Sequence, residues 1–273
     1  MGILMEEKSV GIYWDFENIH ASLYTNSHGA NSYGKNENRF TVQEPLVDVQ
    51  KIFDYAASFG NIVINNEGVK RSLGNLHSAK IAMVSVDFDP IEKLQHKGDW
   101  QATAEILCSA AKNIESAGAD FLLIGTNTMH KVAADIENSV SIPLLHIADA
   151  TAEVLVENGV KTVGLLGTAF TMEQAFYKDR LTCKYGLSVL TPNDADKRIV
   201  HEVIYNELCL GKIVQRSQSE FLRIISGLSA QGAQAVILGC TEIGLLVKQS
   251  DTDVTLIDTA EIHAQKAVEL AIS

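Results

Sequence analysis

Proline and long apolar runs are both scarce in this chain. Only 4 of its 273 residues are Pro and 19 are Gly, which excludes a collagen-like or low-complexity protein. Because 46% of the residues are hydrophobic, a disordered chain is excluded as well. No stretch approaches the roughly 18 consecutive apolar residues of a membrane span, so we expect no membrane partner. The length fits a globular protein with one large domain or two smaller ones.

Basic residues are also few. The chain has 22 Lys plus Arg against 34 Asp plus Glu, a formal net charge of -12, and a pI near 5.1. Affinity for nucleic acid or an anionic membrane comes mainly from Lys and Arg that neutralise phosphates. The charge balance therefore argues against a nucleic-acid partner and favours small-molecule or protein partners.

Cysteines are few and isolated. Cys108, Cys183, Cys209 and Cys240 form no CxxC pair, which argues against a zinc ribbon and a disulfide framework. For the first three, on or near predicted helices, we expect a packing role. The N-terminus, Met1 to Val10, lacks the apolar core of a signal peptide. Reduced thiols and this N-terminus predict a cytoplasmic protein.

Short apolar runs alternate with longer amphipathic segments along most of the chain. This alternation predicts an α/β fold with parallel sheets, because parallel strands need helical crossovers. The predicted strands are Ser9 to Tyr13, Asn61 to Ile64, Lys80 to Val86, Phe121 to Ile124, Thr162 to Leu166, Leu187 to Leu190, Ala235 to Leu238 and Val254 to Ile257. The predicted helices include Leu46 to Ser58, Asp99 to Ser116, Met129 to Asn138, Ala148 to Asn158, Thr171 to Tyr185, Asp196 to Leu208 and Ser217 to Gln231. The polar stretch Thr25 to Gln43 interrupts the alternation and is predicted to be an exposed loop or insertion.

An internal repeat indicates two similar halves. The segment from Gly118 to Asn127 matches the segment from Gly232 to Thr241 without a gap, and Thr162 to Thr168 has a weaker counterpart at Ser9 to Asp15. Both segments of the first pair combine a helix end, a buried strand, a glycine and a short polar run. We therefore expect two pseudo-symmetric α/β lobes that face one another.

The repeat places two polar triplets at the carboxyl ends of strands, where α/β sheets bind ligands. These are Thr126-Asn127-Thr128 and Cys240-Thr241-Glu242. Facing each other across a cleft, they suit removal of a proton from one face of a carbon and its return on the other. Cys240 is a base for this reaction if amide dipoles or a cation lower its thiol pKa. The alternative is that Cys240 is one more buried cysteine, and spacing alone leaves both interpretations open.

Four segments carry a resemblance to a known family. They are GTNTMHKVAADIE (Gly125 to Glu137), IPLLHIADAT (Ile142 to Thr151), LLGTAFTMEQAFYKDRL (Leu165 to Leu181) and ILGCTEIGLLV (Ile237 to Val247). The chain from about residue 66 to its end resembles the cofactor-independent aspartate/glutamate racemases, most of all their broad-specificity amino-acid branch. The resemblance implies two pseudo-symmetric lobes, often in a homodimer, and two opposed acid/base groups. It also implies an amino-acid substrate and inversion of the α-carbon without pyridoxal phosphate or metal.

The resemblance also assigns roles to individual residues. Cys240 matches the thiol base of the second lobe, and Thr126 stands where many members have a second cysteine. A threonine hydroxyl is a far weaker acid than a thiol, so it is a poor base, and the resemblance implies asymmetric or slow racemisation. The residues that match substrate-binding positions are Gln95, Asn127, Thr128, Thr168 and Thr241.

Three further polar residues in or near these triplets each allow two interpretations. Glu242 either contacts the substrate amine, which we favour, or caps the following helix, where a carboxylate is favourable. His130 and His146 either tune the site or are hydrogen-bonded structural histidines, and we favour the structural interpretation for both.

The N-terminus departs from the family, whose members open with a strand and a glycine-rich loop. Val10 to His20, followed by Pro45 to Asn65, instead resembles the start of an NYN domain, the PIN-like nuclease fold. In that fold, Asp15 and Asn18 would belong to a Mg2+ or Mn2+ site. Residues 1–64 hold 4 Lys plus Arg against 8 Asp plus Glu, a net charge of -4 that does not favour RNA. We favour the simpler view that Asp15 is a surface acid after an edge strand.

These observations divide the chain into an NYN-like segment, residues 1–64, and a racemase-like domain, residues 65–273. The segment replaces the usual first strand and glycine-rich loop and gives the first lobe an atypical β-α-β start. The resulting hypothesis is an amino-acid racemase without cofactor or metal, acting on an acidic or small amino acid, whose activity the altered N-terminus weakens or removes. The alternatives are a metal-dependent NYN-type ribonuclease or RNA-binding fragment, and a catalytically silent fusion that binds amino acids.

Overall fold

The computed structural model describes the backbone of Val10–Asp15 and residues 68–273 in full. Eight strands form two four-stranded sheets in this part of the chain, and every pairing is parallel. The strands are β1 (Val10–Asp15), β2 (Ile81–Val86), β3 (Phe121–Ile124), β4 (Leu144–Leu145), β5 (Thr162–Gly167), β6 (Ser188–Leu190), β7 (Ala235–Gly239) and β8 (Thr255–Asp258). The prediction of an α/β fold with parallel sheets is confirmed.

Helices connect the strands. They are α1 (Phe88–Lys97), α2 (Trp100–Ser116), α3 (Ala133–Ser139), α4 (Ile147–Glu157), α5 (Ala169–Glu173), α6 (Ala175–Asp179), α7 (Asp194–Asn206), α8 (Gln215–Ala230), α9 (Ile243–Leu246) and α10 (Thr259–Ile272). Short 3-10 segments cover Thr128–Val132, Leu208–Leu210 and Gln249–Asp251, and a π-helical turn covers Arg180–Lys184. Residues 68–73 are also helical.

The two sheets repeat one topology. The first has the order β2-β1-β3-β4 and the second the order β6-β5-β7-β8. Strands β3 and β7, which carry the matched sequence segments, therefore occupy the same place in their sheets, as do β1 and β5. The internal repeat correctly predicted this pseudo-symmetry.

Strands β3 and β7 are buried on both faces. In β7, Val236 and Leu238 pack into one hydrophobic cluster and Ala235 and Ile237 into another, as the two-residue period of a strand requires. In β3, Leu122 and Ile124 likewise pack with α2, whereas Phe121 and Leu123 pack with Ala267 and Ala271 of α10. The last helix thus follows a strand of the second sheet but covers a face of the first.

Strand β1 lies inside the first sheet. It pairs with β2 along its whole length, with Val10 opposite Ile81 at one end and Asp15 opposite Val86 at the other. On its other side, Tyr13 lies opposite Ile124 of β3. The prediction that Asp15 follows an edge strand is therefore wrong, because a strand between two neighbours is central. The carboxyl end of β1 lies at the same sheet edge as that of β3.

Other predictions differ from the structure in extent. The predicted helix Thr171 to Tyr185 is broken at Gln174, and Met129 to Asn138 begins as a 3-10 segment. Cys209 lies in a 3-10 segment, not in an α-helix. The predicted loop Thr25 to Gln43, helix Leu46 to Ser58 and strand Asn61 to Ile64 lie outside the described residues.

Candidate active site

Polar loops meet where the central strands of the two sheets end. Thr168 and Cys240 directly follow β5 and β7, and Thr126 follows β3 after one glycine. The ends of β5 and β7 approach closely, because a Cβ on Gly239 would lie 2.7 Å from the carbonyl oxygen of Leu166, and one on Gly167 would lie 2.8 Å from that of Gly239. Glycine at both positions allows the two strand ends to stay paired where the site residues begin.

Three threonine hydroxyls join the two lobes. The Oγ1 of Thr128 lies 3.0 Å from that of Thr168 and 3.4 Å from that of Thr171, and the last two are 3.3 Å apart. All three residues are buried. Thr168 also begins α5 as its N-cap, accepting a hydrogen bond from the Thr171 amide at 3.4 Å. The predicted pair Thr128 and Thr168 is therefore in contact, and Thr171 completes a cluster of reorientable donors.

Asn127 connects the first lobe to the strand before Cys240. Its Nδ2 donates to the Oγ1 of Thr259 at 3.0 Å, and that hydroxyl donates to the carbonyl oxygen of Leu238 at 2.9 Å. Asn127 is only 2% exposed, yet its Oδ1 has no hydrogen-bond partner in the described part of the protein. A buried carbonyl oxygen without a donor is uncommon in folded proteins, so this atom is a candidate contact for a ligand.

Cys240 is held by an acidic neighbour. Its Sγ donates to Oε2 of Glu242 at 2.8 Å, and the Oγ1 of Thr241 donates to the same oxygen at 2.9 Å. Burial, followed by the negative charge of Glu242, raises the pKa of the Cys240 thiol well above its ordinary value. The surroundings of Cys240 therefore do not provide the lowered thiol pKa that would make it a base by itself.

Of the two roles considered for Glu242, the structure tests only the capping of the following helix. Glu242 stands at the N-cap of α9 but makes no side-chain cap hydrogen bond, so the capping interpretation is wrong. Its carboxylate instead binds the hydroxyl and the thiol of the two preceding residues. The arrangement can accept the thiol proton, because the two groups are already joined by a hydrogen bond.

Gln95 lies on α1 and is 2% exposed. Its Nε2 donates to Sδ of Met129 at 3.5 Å, and its Oε1 accepts from the Tyr205 hydroxyl of α7 at 3.3 Å. Burial raises the pKa of Tyr205 far above its usual range, and the nearby thiols of Cys209 and Cys240 act in the same direction. Gln95 and Tyr205 therefore form a further polar link between the lobes, beside Cys240.

Thr126 is held through both its side chain and its backbone. Its Oγ1 accepts from the Met129 amide at 3.4 Å, which leaves the hydroxyl proton available for donation. Its carbonyl oxygen accepts from Nδ1 of His130 at 2.7 Å, and Nε2 of His130 accepts from the Ile147 amide at 3.2 Å. Since one ring nitrogen donates and the other accepts, His130 is a neutral imidazole.

The histidines behind this loop have structural roles, as predicted. His146 is the N-cap of α4, accepting from the Ala148 amide at 3.2 Å. Burial lowers the pKa of His146 to about 2, and the positive charge of Arg180 acts in the same direction. His130 and His146 are both buried, and both are hydrogen-bonded.

The remaining cysteines differ in their surroundings. Cys108 and Cys209 pack against hydrophobic clusters, as expected. Cys183 is exposed, so the packing role predicted for it is wrong. It lies in the π-helical turn at the surface.

Nothing in the described residues supports the alternative of a nuclease site. Only the backbone of Asp15 is described, and Asn18 lies outside the described residues. Within residues 68–273, no group of three His, Cys, Asp or Glu side chains is arranged to hold a metal ion. None of the helices described combines the length and apolar character needed to cross a membrane.

Three site residues were not predicted: Thr171, Tyr205 and Thr259. Thr259 follows the carboxyl end of β8, so the strand-end rule that placed Thr126 and Cys240 could have found it. Thr171 lies one helical turn after Thr168, and that spacing alone marks it as a neighbour. Tyr205 lies on a helix of the other lobe from Gln95, and no local pattern reveals that contact.

The chain is similar to known racemases. Its residues 65–267 match the Asp/Glu/Hydantoin racemase family. A Yersinia pestis protein described as an Asp/Glu racemase shares 42% identity and a TM-score of 0.77, covering 97% of this chain and 100% of its own. An aspartate racemase homologue from Pyrococcus horikoshii shares 29% identity and a TM-score of 0.69 over the same fractions.

A racemase that matches by sequence is also similar to this chain. The broad-specificity amino-acid racemase RacX of Bacillus subtilis is 24% identical over 170 residues, which cover 62% of this chain and 73% of RacX. These similarities and the paired α/β lobes lead to one conclusion: the chain belongs to the Asp/Glu/Hydantoin racemase family.

Proposed function

We propose that this protein is a cofactor-independent amino-acid racemase in which Cys240 and Thr126 exchange protons with opposite faces of the substrate α-carbon. The observation that carries the proposal is the pair of polar bridges between the lobes. Thr128 contacts Thr168 at 3.0 Å, and Asn127 is tied through Thr259 to Leu238, two residues before Cys240. The loops bearing the two acid/base groups therefore border one cleft.

The polar groups of the cleft suit an amino acid's α-substituents. The unpartnered Oδ1 of Asn127 is an acceptor, which matches the N–H groups of an ammonium. The hydroxyls of Thr128 and Thr168 can turn to donate to a carboxylate, since their present contacts are with each other and with Thr171. Thr241 and Gln95 complete the proposed binding residues.

Proton transfer begins at the Cys240 thiol. Its proton passes to the Glu242 carboxylate along the existing 2.8 Å hydrogen bond, leaving a thiolate. The thiolate then removes the α-proton and becomes a thiol again, and the carbanion takes the hydroxyl proton of Thr126 on its other face. The proton on Glu242 returns through solvent to the Thr126 oxygen, which restores every group. The Thr126 hydroxyl is a far weaker acid than a thiol, so its proton transfer limits the rate. Because the two enantiomers have equal free energy, kcat/KM is limited equally in both directions.

The substrate in this proposal is an acidic or small amino acid, and the protein acts as a homodimer. Residues 1–64 replace the usual opening of the family, with β1 supplying the first strand. The position of β1 between β2 and β3 supports this division, because the strand completes the first sheet. Sedimentation velocity of the full chain tests the dimer.

Isotope exchange tests the proposed reaction. L- and D-aspartate, L- and D-glutamate and a panel of neutral amino acids are incubated with the protein in D2O, and loss of the α-proton signal is followed. We expect exchange with at least one amino acid, and a loss of roughly 100-fold or more in Cys240→Ser, the usual size of a general acid–base contribution. Cys108→Ser, in α2, is the matched control. Absence of exchange throughout, or equal exchange in Cys240→Ser, would overturn the proposal.

A further inference from the structure

Thr259 occupies a central place in the site although it touches none of the proposed acid/base groups. We propose that Thr259 is a positioning residue that fixes the orientation of the Asn127 side-chain amide, so that its oxygen faces the substrate ammonium. This rests on the proposed function, because the ammonium is that of the amino-acid substrate. Thr259 is the first residue of α10 and is fully buried.

The direction of two hydrogen bonds carries the inference. The hydroxyl of Thr259 has a single proton, and a carbonyl oxygen can only accept. The 2.9 Å contact with the oxygen of Leu238 therefore uses that proton. Toward Asn127 the same hydroxyl can only accept, so the atom 3.0 Å away must be the amide nitrogen.

The opposite orientation of the amide is unfavourable. If the Asn127 amide were turned over, the single proton of the Thr259 hydroxyl would face two acceptors, the Asn127 oxygen and the Leu238 oxygen. It could serve only one of them, so the other would be a buried acceptor in repulsive contact with the hydroxyl oxygen. Thr259 therefore sets which end of the amide is left for a ligand.

The end of the Asn127 amide that does not contact Thr259 is therefore the oxygen, which is a hydrogen-bond acceptor. Oδ1 of Asn127 belongs to a side chain that is only 2% exposed, and it has no partner among the described residues. An acceptor fixed in this way selects a donor such as an ammonium over a carboxylate. The site is ordered before the substrate arrives, which lowers the entropy lost on binding.

Thr259 also holds the lobes together, since it joins the loop after β3 to β7 and α10. A merely structural role would weaken every ligand equally and would change folding. The positioning role predicts a selective effect on ligands that carry an amino group. The two roles are therefore separable by comparing a ligand with its analogue that lacks the amine.

The test uses the full-length protein with Thr259→Val, which keeps the shape and removes the hydroxyl, and with Thr259→Ser, which keeps the hydroxyl. Thr259→Ala is a second hydroxyl-free variant in case valine impairs folding. The side-chain amide resonances of Asn127, identified by their absence in Asn127→Asp, are recorded without ligand. Calorimetry then compares L-aspartate with succinate and L-glutamate with glutarate.

In the wild type and Thr259→Ser we expect one hydrogen-bonded Asn127 amide proton that exchanges slowly with solvent. We expect its loss in the hydroxyl-free variants, with affinity for the amino acids reduced about tenfold and affinity for the diacids unchanged. A retained resonance, or equal weakening of both ligand classes, would overturn the inference. If these results hold but the wild type exchanges no α-proton, only the proposed racemase reaction fails.

Discussion

At the scale of single residues, the negative charge of Glu242 disfavours ionisation of the neighbouring Cys240 thiol. A carboxylate that accepts a hydrogen bond from a thiol stabilises the protonated thiol and repels the thiolate. The same carboxylate is the proposed acceptor of the thiol proton. Glu242 should therefore lower the reactivity of the resting thiol and raise the rate of the catalysed reaction.

Glu242→Gln separates these two effects. The amide carries no charge and can donate to sulfur, so we expect the pKa of Cys240 to fall and its alkylation by iodoacetamide at pH 8 to be several-fold faster. We also expect α-proton exchange to slow by roughly tenfold or more, because the proton acceptor is lost. Peptide-resolved mass spectrometry measures alkylation of Cys240 apart from the exposed Cys183.

The control for this variant is Glu220→Gln, which removes an exposed carboxylate on α8 that pairs with Arg223. It should change neither rate. Slower alkylation of Cys240 in Glu242→Gln would contradict the role assigned to the carboxylate.

The triplets of the site were predictable because they follow buried strands, whose carboxyl ends converge in any parallel sheet. Thr126, Asn127 and Cys240 were found in this way, whereas Thr168 was assigned by the family resemblance. The elevated pKa of Cys240 was not predictable, because it depends on which way the Glu242 side chain turns. The contact of Tyr205 with Gln95 depends on how two distant helices pack, which no local spacing encodes.

At the scale of elements, the paired strands β5 and β7 depend on two glycines. A Cβ at Gly239 would meet the backbone oxygen of Leu166, which cannot move without displacing β5. Since Cys240 is the next residue, any shift of the strand end also moves the thiol.

Gly239→Ala is therefore expected to lower the free energy of unfolding by about 1–3 kcal/mol, as overpacking does, and to reduce α-proton exchange. Gly227→Ala is the matched control, because Gly227 lies in α8 with no atom within 4 Å of its added Cβ. We expect that variant to gain roughly 0.5–1 kcal/mol from helix propensity. Urea unfolding measures both, and equal effects of the two substitutions would refute the close-approach argument.

Strands were predicted to within one or two residues wherever an apolar run was long enough. The strand Phe121 to Ile124 was predicted with its observed bounds. The predicted strand Ala235 to Leu238 is one residue shorter than the observed strand, which ends at Gly239. Strand β4, with two residues, is too short to leave a pattern. The break at Gln174 in the predicted helix Thr171 to Tyr185 was missed because neither Pro nor Gly marks it.

At the scale of the whole molecule, three buried histidines lie where the lobes meet. The ring of His130 lies 4.3 Å from that of His146 and 6.1 Å from that of His263, centroid to centroid. Burial lowers the pKa of His263 to about 4 and that of His130 well below its ordinary value. All three are therefore neutral in the folded protein at neutral pH.

Acidification should destabilise the protein through these groups. Below about pH 6.5 the unfolded chain binds protons that the folded protein does not, so the free energy of unfolding falls as pH falls toward 4. The slope is at most about 1.4 kcal/mol per pH unit for each histidine. Urea unfolding between pH 7.5 and pH 5 measures it.

His263→Gln is expected to reduce this slope, with His77→Gln, a replacement on the protein surface, as the matched control. The buried cluster would not be the cause of acid sensitivity if the two variants retained the same slope.

The packing of α10 on the first sheet bears on the order in which the protein folds. Phe121 and Leu123 are covered by Ala267 and Ala271, almost 150 residues later in the chain. Contacts so distant in sequence form slowly because a long loop must close first. During synthesis, all strands of the second sheet are made before α10. One face of the first sheet stays uncovered until α10 has been made. The lobe that leaves the ribosome first is thus the one completed last.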